Sequence, residues 1–200
     1  MSPFYWIVVV ALAAVVVGGL IRVVSYRRER ALEAERWRAA WAPLAKARSL
    51  RLEPEFARDL NGGPGFRQKW WALYGNAASV PYRVGLGAVT YGYDGLLMLE
   101  ASLAVHPKLR FVLSPPGKNP LDDLAPVELP VGVAHGLELC ADKAGGARAV
   151  VTDSLCSAVA DIPGALLVVR GNHTQIVLPV AQGGLDLALH DKAVQVVVLL

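Results

Sequence analysis

The sequence predicts an α+β protein: one N-terminal transmembrane helix and a helical stalk, then a domain on a mixed, mainly antiparallel sheet with flanking helices. Three observations predict it. An uncharged apolar run, residues 3–21, is followed at once by an arginine-rich segment. Residues 25–48 are dominated by Ala, Leu, Glu, Arg and Lys, the residues that favour helix. Beyond residue 50, short runs rich in Val, Leu, Tyr and Trp are broken by Gly and Pro, the pattern of short strands. The organisation implied is an anchor (1–24), a basic helical stalk (25–49) and a domain (50–200).

The anchor comes first. A helix rises about 1.5 Å per residue, so about 20 apolar residues cross a hydrocarbon core of roughly 30 Å. Within lipid every backbone group needs a local partner, which a helix supplies even where valine is frequent. Tyr5 and Trp6 stand at one end, where amphipathic rings favour the headgroup level. Arg22, Arg27, Arg28 and Arg30 form a collar at the other end. These six are the candidate membrane-interface residues. Before the run the only positive group is the amino terminus, so the positive-inside rule places the C-terminal part in the cytoplasm of an inner or plasma membrane. A cleaved signal peptide would need a basic segment ahead of the apolar run, and none is present. Gly18 and Gly19 allow close helix approach, but no GxxxG motif supports pairing through the span.

Charge divides the chain. Residues 1–51 hold nine Arg/Lys and three Glu, a net of +6, whereas the whole chain is +3. Residues 52–200 therefore carry −3, and the basic character belongs to the juxtamembrane segment. That pattern points to a lipid bilayer as partner and away from nucleic acid.

In the stalk, Arg30–Glu33, Glu33–Arg36 and Glu35–Arg38 have i,i+3 spacing for ion pairs. Ala34, Trp37, Trp41 and Leu44 fall on one face and form a stripe to be buried. Pro43 is expected to kink or restart the helix.

The domain reads as strands over 69–74, 82–91, 96–104 and 109–114, with Asn61-Gly62-Gly63-Pro64-Gly65 and Tyr93-Asp94-Gly95 as turns. Residues 114–130, rich in proline, read as a surface excursion. A strand over 137–141 and two short helices within 144–162 follow, with Thr152 or Asp153 as a cap. Gly171-Asn172-His173 between two β-branched runs is a hairpin signature. From 184 onward, Leu185, Ala188, Leu189, Lys192, Ala193, Val196, Val197 and Leu200 recur at helical spacing.

Residues 136–179 resemble a segment of a bacterial family of membrane-anchored proteins with a domain of unknown function. The likeness is carried by the strand Leu137-Glu138-Leu139-Cys140-Ala141-Asp142 and by Ala147-Arg148-Ala149-Val150-Val151-Thr152, which matches an A-R-x-x-L-T helix with Val151 in place of Leu. A second helix and a strand hairpin follow. The resemblance implies an α+β module near a spanning helix. It transfers no catalytic residue.

Candidate chemistry is sparse. His106, His135, His173 and His190 make no HxH, HxxxH or HExxH spacing, so no metal site or cofactor is expected. Cys140 and Cys156 read as buried small hydrophobes. The sharpest enzymatic option is a membrane-tethered hydrolase using Ser154 or Cys156 with His135 or His173, although the G-x-S-x-G elbow is absent. Gly62-Gly63-Pro64-Gly65 and Gly85-Leu86-Gly87 lack what a phosphate loop requires. Asp153 and Ser154 are also accounted for as helix-start residues. Among the aromatics Trp70, Trp71, Tyr74, Tyr82, Tyr91 and Tyr93, neighbours on a strand point to opposite faces. One of Trp70 and Trp71 should therefore seek a helix, the bilayer or a partner, and Trp70, Trp71 and Tyr74 are the candidate partner-binding residues. The sequence thus favours a non-catalytic binding or scaffold domain held at the membrane, with the hydrolase or a tyrosine-lined small-ligand sensor as alternatives.

Overall fold

The computed structural model describes residues 3–58, 67–86, 96–103, 108–130, 132–181 and 184–200. The turns expected at 61–65 and 93–95, and His106, Gly87, Tyr91 and Tyr93, lie outside them. So does the side chain of Tyr5.

Among the described residues the architecture is α+β, with four helices and one nine-stranded sheet. The chain divides into two compact units, residues 1–39 with 54–71, and residues 40–53 with 72–200. Helix α1 (Pro3–Ala47) is a single 45-residue element. Of the two outcomes expected at Pro43, a restart does not occur: the helix continues with the proline inside it. Only one donor is lost to a proline, and Trp41, Leu44 and Ala45 around it are buried, which favours continuing the helix.

The helix ends in a Schellman turn. Leu50 N–H donates to the Ala45 carbonyl (2.8 Å), Ser49 N–H donates to Lys46 (3.4 Å), and Ser49 takes the left-handed conformation at φ 53°.

Within the first unit, the apolar part of α1 exposes side chains all round, among them Val15 (72%) and Ile21 (61%). A water-soluble helix hides one face. Farther along α1, Ala34 and Trp37 are buried, and Trp37 stacks on Trp70 with ring centroids 5.0 Å apart. Arg30 binds Glu33 at 2.7 Å and Arg38 reaches Glu35 at 3.3 Å, two of the expected pairs.

The strands are β1 (Arg51–Arg58), β2 (Arg67–Ala77), β3 (Val80–Leu86), β4 (Leu96–Ser102), β5 (Arg110–Ser114), β6 (Ala125–Val127), β7 (Glu138–Ala141), β8 (Leu166–Arg170) and β9 (His173–Ala181). Their order is β1-β2-β3-β4-β9-β8-β5-β7-β6. The pairs from β2–β3 through β7–β6 are antiparallel. The remaining helices are α2 (Ala144–Val150), α3 (Asp153–Ala160) and α4 (Leu187–Val198).

Register explains the core. Val84, Leu99, Ile176, Leu167, Leu113 and Leu139 are cross-strand neighbours in one row, and all are buried. Tyr82 lies two residues from Val84 on the same face, the face α4 meets. On the other face, Val112, Val168 and Cys140 pack with Leu121 and Leu124. Residues 114–130 are thus more than a surface excursion: they contribute β6 and two core leucines. Apolar residues among the prolines supply the burial that composition alone concealed. The hairpin turn at Gly171 and Asn172 forms as expected, with Gly171 at φ 62°. Helix α4 also forms, but Ala188 and Lys192 face solvent while His190 turns inward.

Candidate functional site

The second unit contains a cleft of about 610 Å³ at the meeting of three segments. Residues 48–51, just past α1, form one wall. The β2–β3 hairpin contributes Tyr74, Gly75, Asn76 and Tyr82, and α4 contributes His190, Asp191 and Val194.

A chain of hydrogen bonds runs through it. Arg48 Nε donates to Asp191 Oδ1 (2.9 Å), and Arg48 Nη2 donates to Asp191 Oδ2. His190 Nδ1 lies 3.2 Å from Asp191 Oδ1, and His190 Nε2 lies 2.9 Å from the Tyr82 hydroxyl. A carboxylate can only accept, so Nδ1 carries the imidazole proton and the Nε2 lone pair takes the Tyr82 hydroxyl hydrogen. One tautomer satisfies the row from tyrosine to arginine.

Local structure sets this geometry. Gly75 and Tyr82 are cross-strand partners. A Cβ on Gly75 would lie 2.5 Å from the Tyr82 hydroxyl oxygen and 2.7 Å from Leu50 Cδ2. Only glycine lets the phenol lie across the neighbouring strand toward α4. The Asp186 carboxylate caps α4 by accepting from Leu189 N–H (2.7 Å), which fixes the rotation presenting His190 inward.

The electrostatics favour a quiet site. Hydrogen bonds from Arg48, aided by His190, hold the Asp191 carboxyl down to about 2. Burial pushes the His190 imidazolium pKa below its ordinary value despite Asp191. Burial, and then the Asp191 charge, push the Tyr82 phenol up. The site therefore holds a neutral phenol, a neutral imidazole and a closed arginine–carboxylate pair at neutral pH. An activated tyrosine would need its pKa moved the other way.

The residues singled out by sequence do not converge here. Trp70 stacks on Trp37 of α1, and Trp71 lies under the Arg38 guanidinium at 5.0 Å. Both tryptophans are buried, so each is covered within its own chain. Tyr74 is half-exposed, lines the cleft, and has Arg51 over its ring at 5.7 Å. His135 Nε2 pairs with Asp153 (2.8 Å) on an exposed surface, and Ser154 has no hydrogen bond to a histidine among the described residues. Thr152, not Asp153, caps α3 through its hydroxyl, which accepts from Leu155 N–H. Cys156 is fully buried and its thiol is pushed up to about 11 by burial and then by Asp153, so it is no thiolate. Cys140 is pushed up too, and both cysteines are free. No group of three or more potential metal ligands forms among the described residues. Trp6, Arg22, Arg27 and Arg28 are exposed along α1, while Arg30 is engaged by Tyr26 (3.2 Å) as well as Glu33.

The sequence reading missed the partnership of Tyr82 and His190, which lie 108 residues apart. One signal was available: His190 falls three and seven residues before Ala193 and Val197, on the apolar stripe of α4.

Fold and site together define a class: an α+β domain with a polar cleft, preceded by a helix long and apolar enough to cross a membrane. No protein-family model and no curated protein matches the sequence. Among solved structures, the fold is similar to that of the mycobacterial trehalose monomycolate transport factor A, TtfA. That likeness has a TM-score of 0.57 at 12% identity and covers 82% of this chain and 90% of the other.

Proposed function

We propose that this chain is a single-pass membrane protein whose α+β domain lies on the cytoplasmic side and acts as a non-catalytic binding module. The observation that carries the reading is the first part of α1. Its apolar window has a mean hydropathy of 2.8 and none of it is buried. Exposure of that kind is unstable in water and favourable in lipid. The arginine collar supports the cytoplasmic orientation through the positive-inside rule. The neutral, mutually hydrogen-bonded Tyr82–His190 pair supports binding over catalysis. The structural neighbour is named a transport factor, which supports a non-enzymatic role. Geometry gives the hydrolase alternative little to stand on, since Cys156 is a buried thiol and His135 is committed to Asp153.

A C-terminal phosphatase reporter that is active only outside the cytoplasm tests the orientation. The reading expects it to be silent and a cytoplasmic fluorescent reporter to be bright. An active phosphatase would overturn it. Proteins crosslinked to the domain in intact membranes, then identified after mild detergent extraction, test the binding role.

A further inference from the structure

We infer that the cleft between residues 48–51, the β2–β3 hairpin and α4 is a binding site for a small organic anion carried on an apolar or aromatic body. The inference rests on the reading of the domain as a binding module and adds the class of ligand. Size comes first. A cleft of about 610 Å³ lies within the range of about 300–1,000 Å³ typical of small-molecule sites.

Sign comes second. The charged residues lining the cleft are Arg48, Arg51 and Asp191. Both Asp191 oxygens are already occupied, one by Arg48 and His190 and the other by Arg48. The carboxylate has little left to offer a cation. Donors are in surplus. A guanidinium has five N–H groups, and Arg48 spends two on Asp191. The side chain of Arg51 is 74% exposed and its ion pair to Glu53 at 3.2 Å is a surface contact that an incoming anion can displace. The Asn76 amide is exposed and bonds to no described residue. A forked guanidinium beside a free amide suits a carboxylate or phosphate.

Shape comes third. The Tyr74 ring, already under the Arg51 guanidinium, stands with Leu50, Pro81 and Val194 around the donors. These surfaces accept a flat or apolar body, whose anionic end meets the arginines. Bound there, the ligand contacts the face of the Tyr82–His190 pair, so occupancy is readable at those rings.

The test uses the full chain in phosphatidylcholine nanodiscs, with the ring resonances of His190 and Tyr82 followed by NMR. The probes are 2-naphthoate, its neutral analogue 2-naphthamide, and the cation 2-naphthylmethylamine. Saturable shifts are expected with naphthoate, with binding at least about tenfold weaker for the amide and weaker still for the amine, as loss of one charge-assisted contact implies. Arg51→Ala, a change on an exposed side chain, should weaken naphthoate about tenfold while leaving the thermal midpoint in place. Tyr74→Leu should weaken it severalfold. Equal binding of acid and amide, an unchanged affinity in Arg51→Ala, or no saturation by about 10 mM overturns the assignment, since a Kd beyond that is too weak for a specific site. Replacing part of the phosphatidylcholine by phosphatidylglycerol separates two sources of the same chemistry. Competition with naphthoate points to an acidic lipid and its absence to a free anion, and either result keeps the anionic assignment. The reporter experiment can fail while the naphthoate result holds, and the reverse, so the two readings are separable.

Discussion

Among the described residues of the domain stand two histidine–aspartate pairs, and they are built in opposite ways. His135 and Asp153 meet at 2.8 Å on the surface, beside the start of α3. His190 and Asp191 are neighbours in sequence, yet the imidazole is 2% exposed and is held on its far side by Tyr82. The first pair is local decoration that water can replace at little cost. The second is locked between a sheet and a helix, where an unmet hydrogen bond has no substitute. The surface pair lies next to Ser154, so it attracts a catalytic reading from sequence. The buried pair has the geometry of a site.

The largest expected effects separate these pairs directly. His190→Ala removes a buried ring and orphans the Tyr82 hydroxyl, and should cost about 3 kcal/mol of stability. His135→Asn, which keeps a residue tolerant of its positive φ of 47°, should change stability by less than about 0.5 kcal/mol. Thermal unfolding of both variants in the same detergent makes the comparison, and equal losses would break it. Next in size, Gly75→Ala drives a methyl group into Tyr82 and Leu50 and should cost about 1–3 kcal/mol. It should also shift the His190 ring resonances, which a change remote from the network leaves in place.

Acid should sharpen the contrast. Because His190 has a folded pKa below 6.5, the unfolded chain binds the extra proton first. Stability from this group is therefore present above pH 6.5 and declines as pH falls below it. Asp191, held at about 2, adds a second loss as pH falls from about 3.8 toward 2. A pH series of melting curves should show the first loss reduced in His190→Gln and the second reduced in Asp191→Asn. Unchanged profiles in both would contradict the assignment. The smallest effect is at the end of α1. Ser49→Gly relieves a left-handed serine and should stabilise the chain by up to about 1 kcal/mol, read as a rise in the same thermal midpoint.

Much of the fold was legible because its signals are local. The apolar run of α1, the periodicity of α4, the Thr152 cap and the Gly171-Asn172 turn each depend on residues within a few positions. Strands β1 and β6 were not read, since Pro54 and Pro126 make them look like loops and both lie at sheet edges, where proline is tolerated. Both Trp70 and Trp71 are buried although a strand sends them to opposite faces, because Trp37 meets one and Arg38 the other. The site was the least legible part. Gly75 opposite Tyr82, Tyr82 against His190 and Arg48 on Asp191 are all set by register and packing, and no spacing in the sequence records them.

The account turns on His190 being a neutral acceptor for Tyr82 and a donor to Asp191. Nitrogen-15 NMR of the full chain, labelled at histidine and held in nanodiscs at pH 7.5, reads this directly. The predicted result is a neutral His190 ring protonated at Nδ1, with its Nε2 shift moving on Tyr82→Phe. An imidazolium at that pH, or a neutral ring protonated at Nε2, would contradict it.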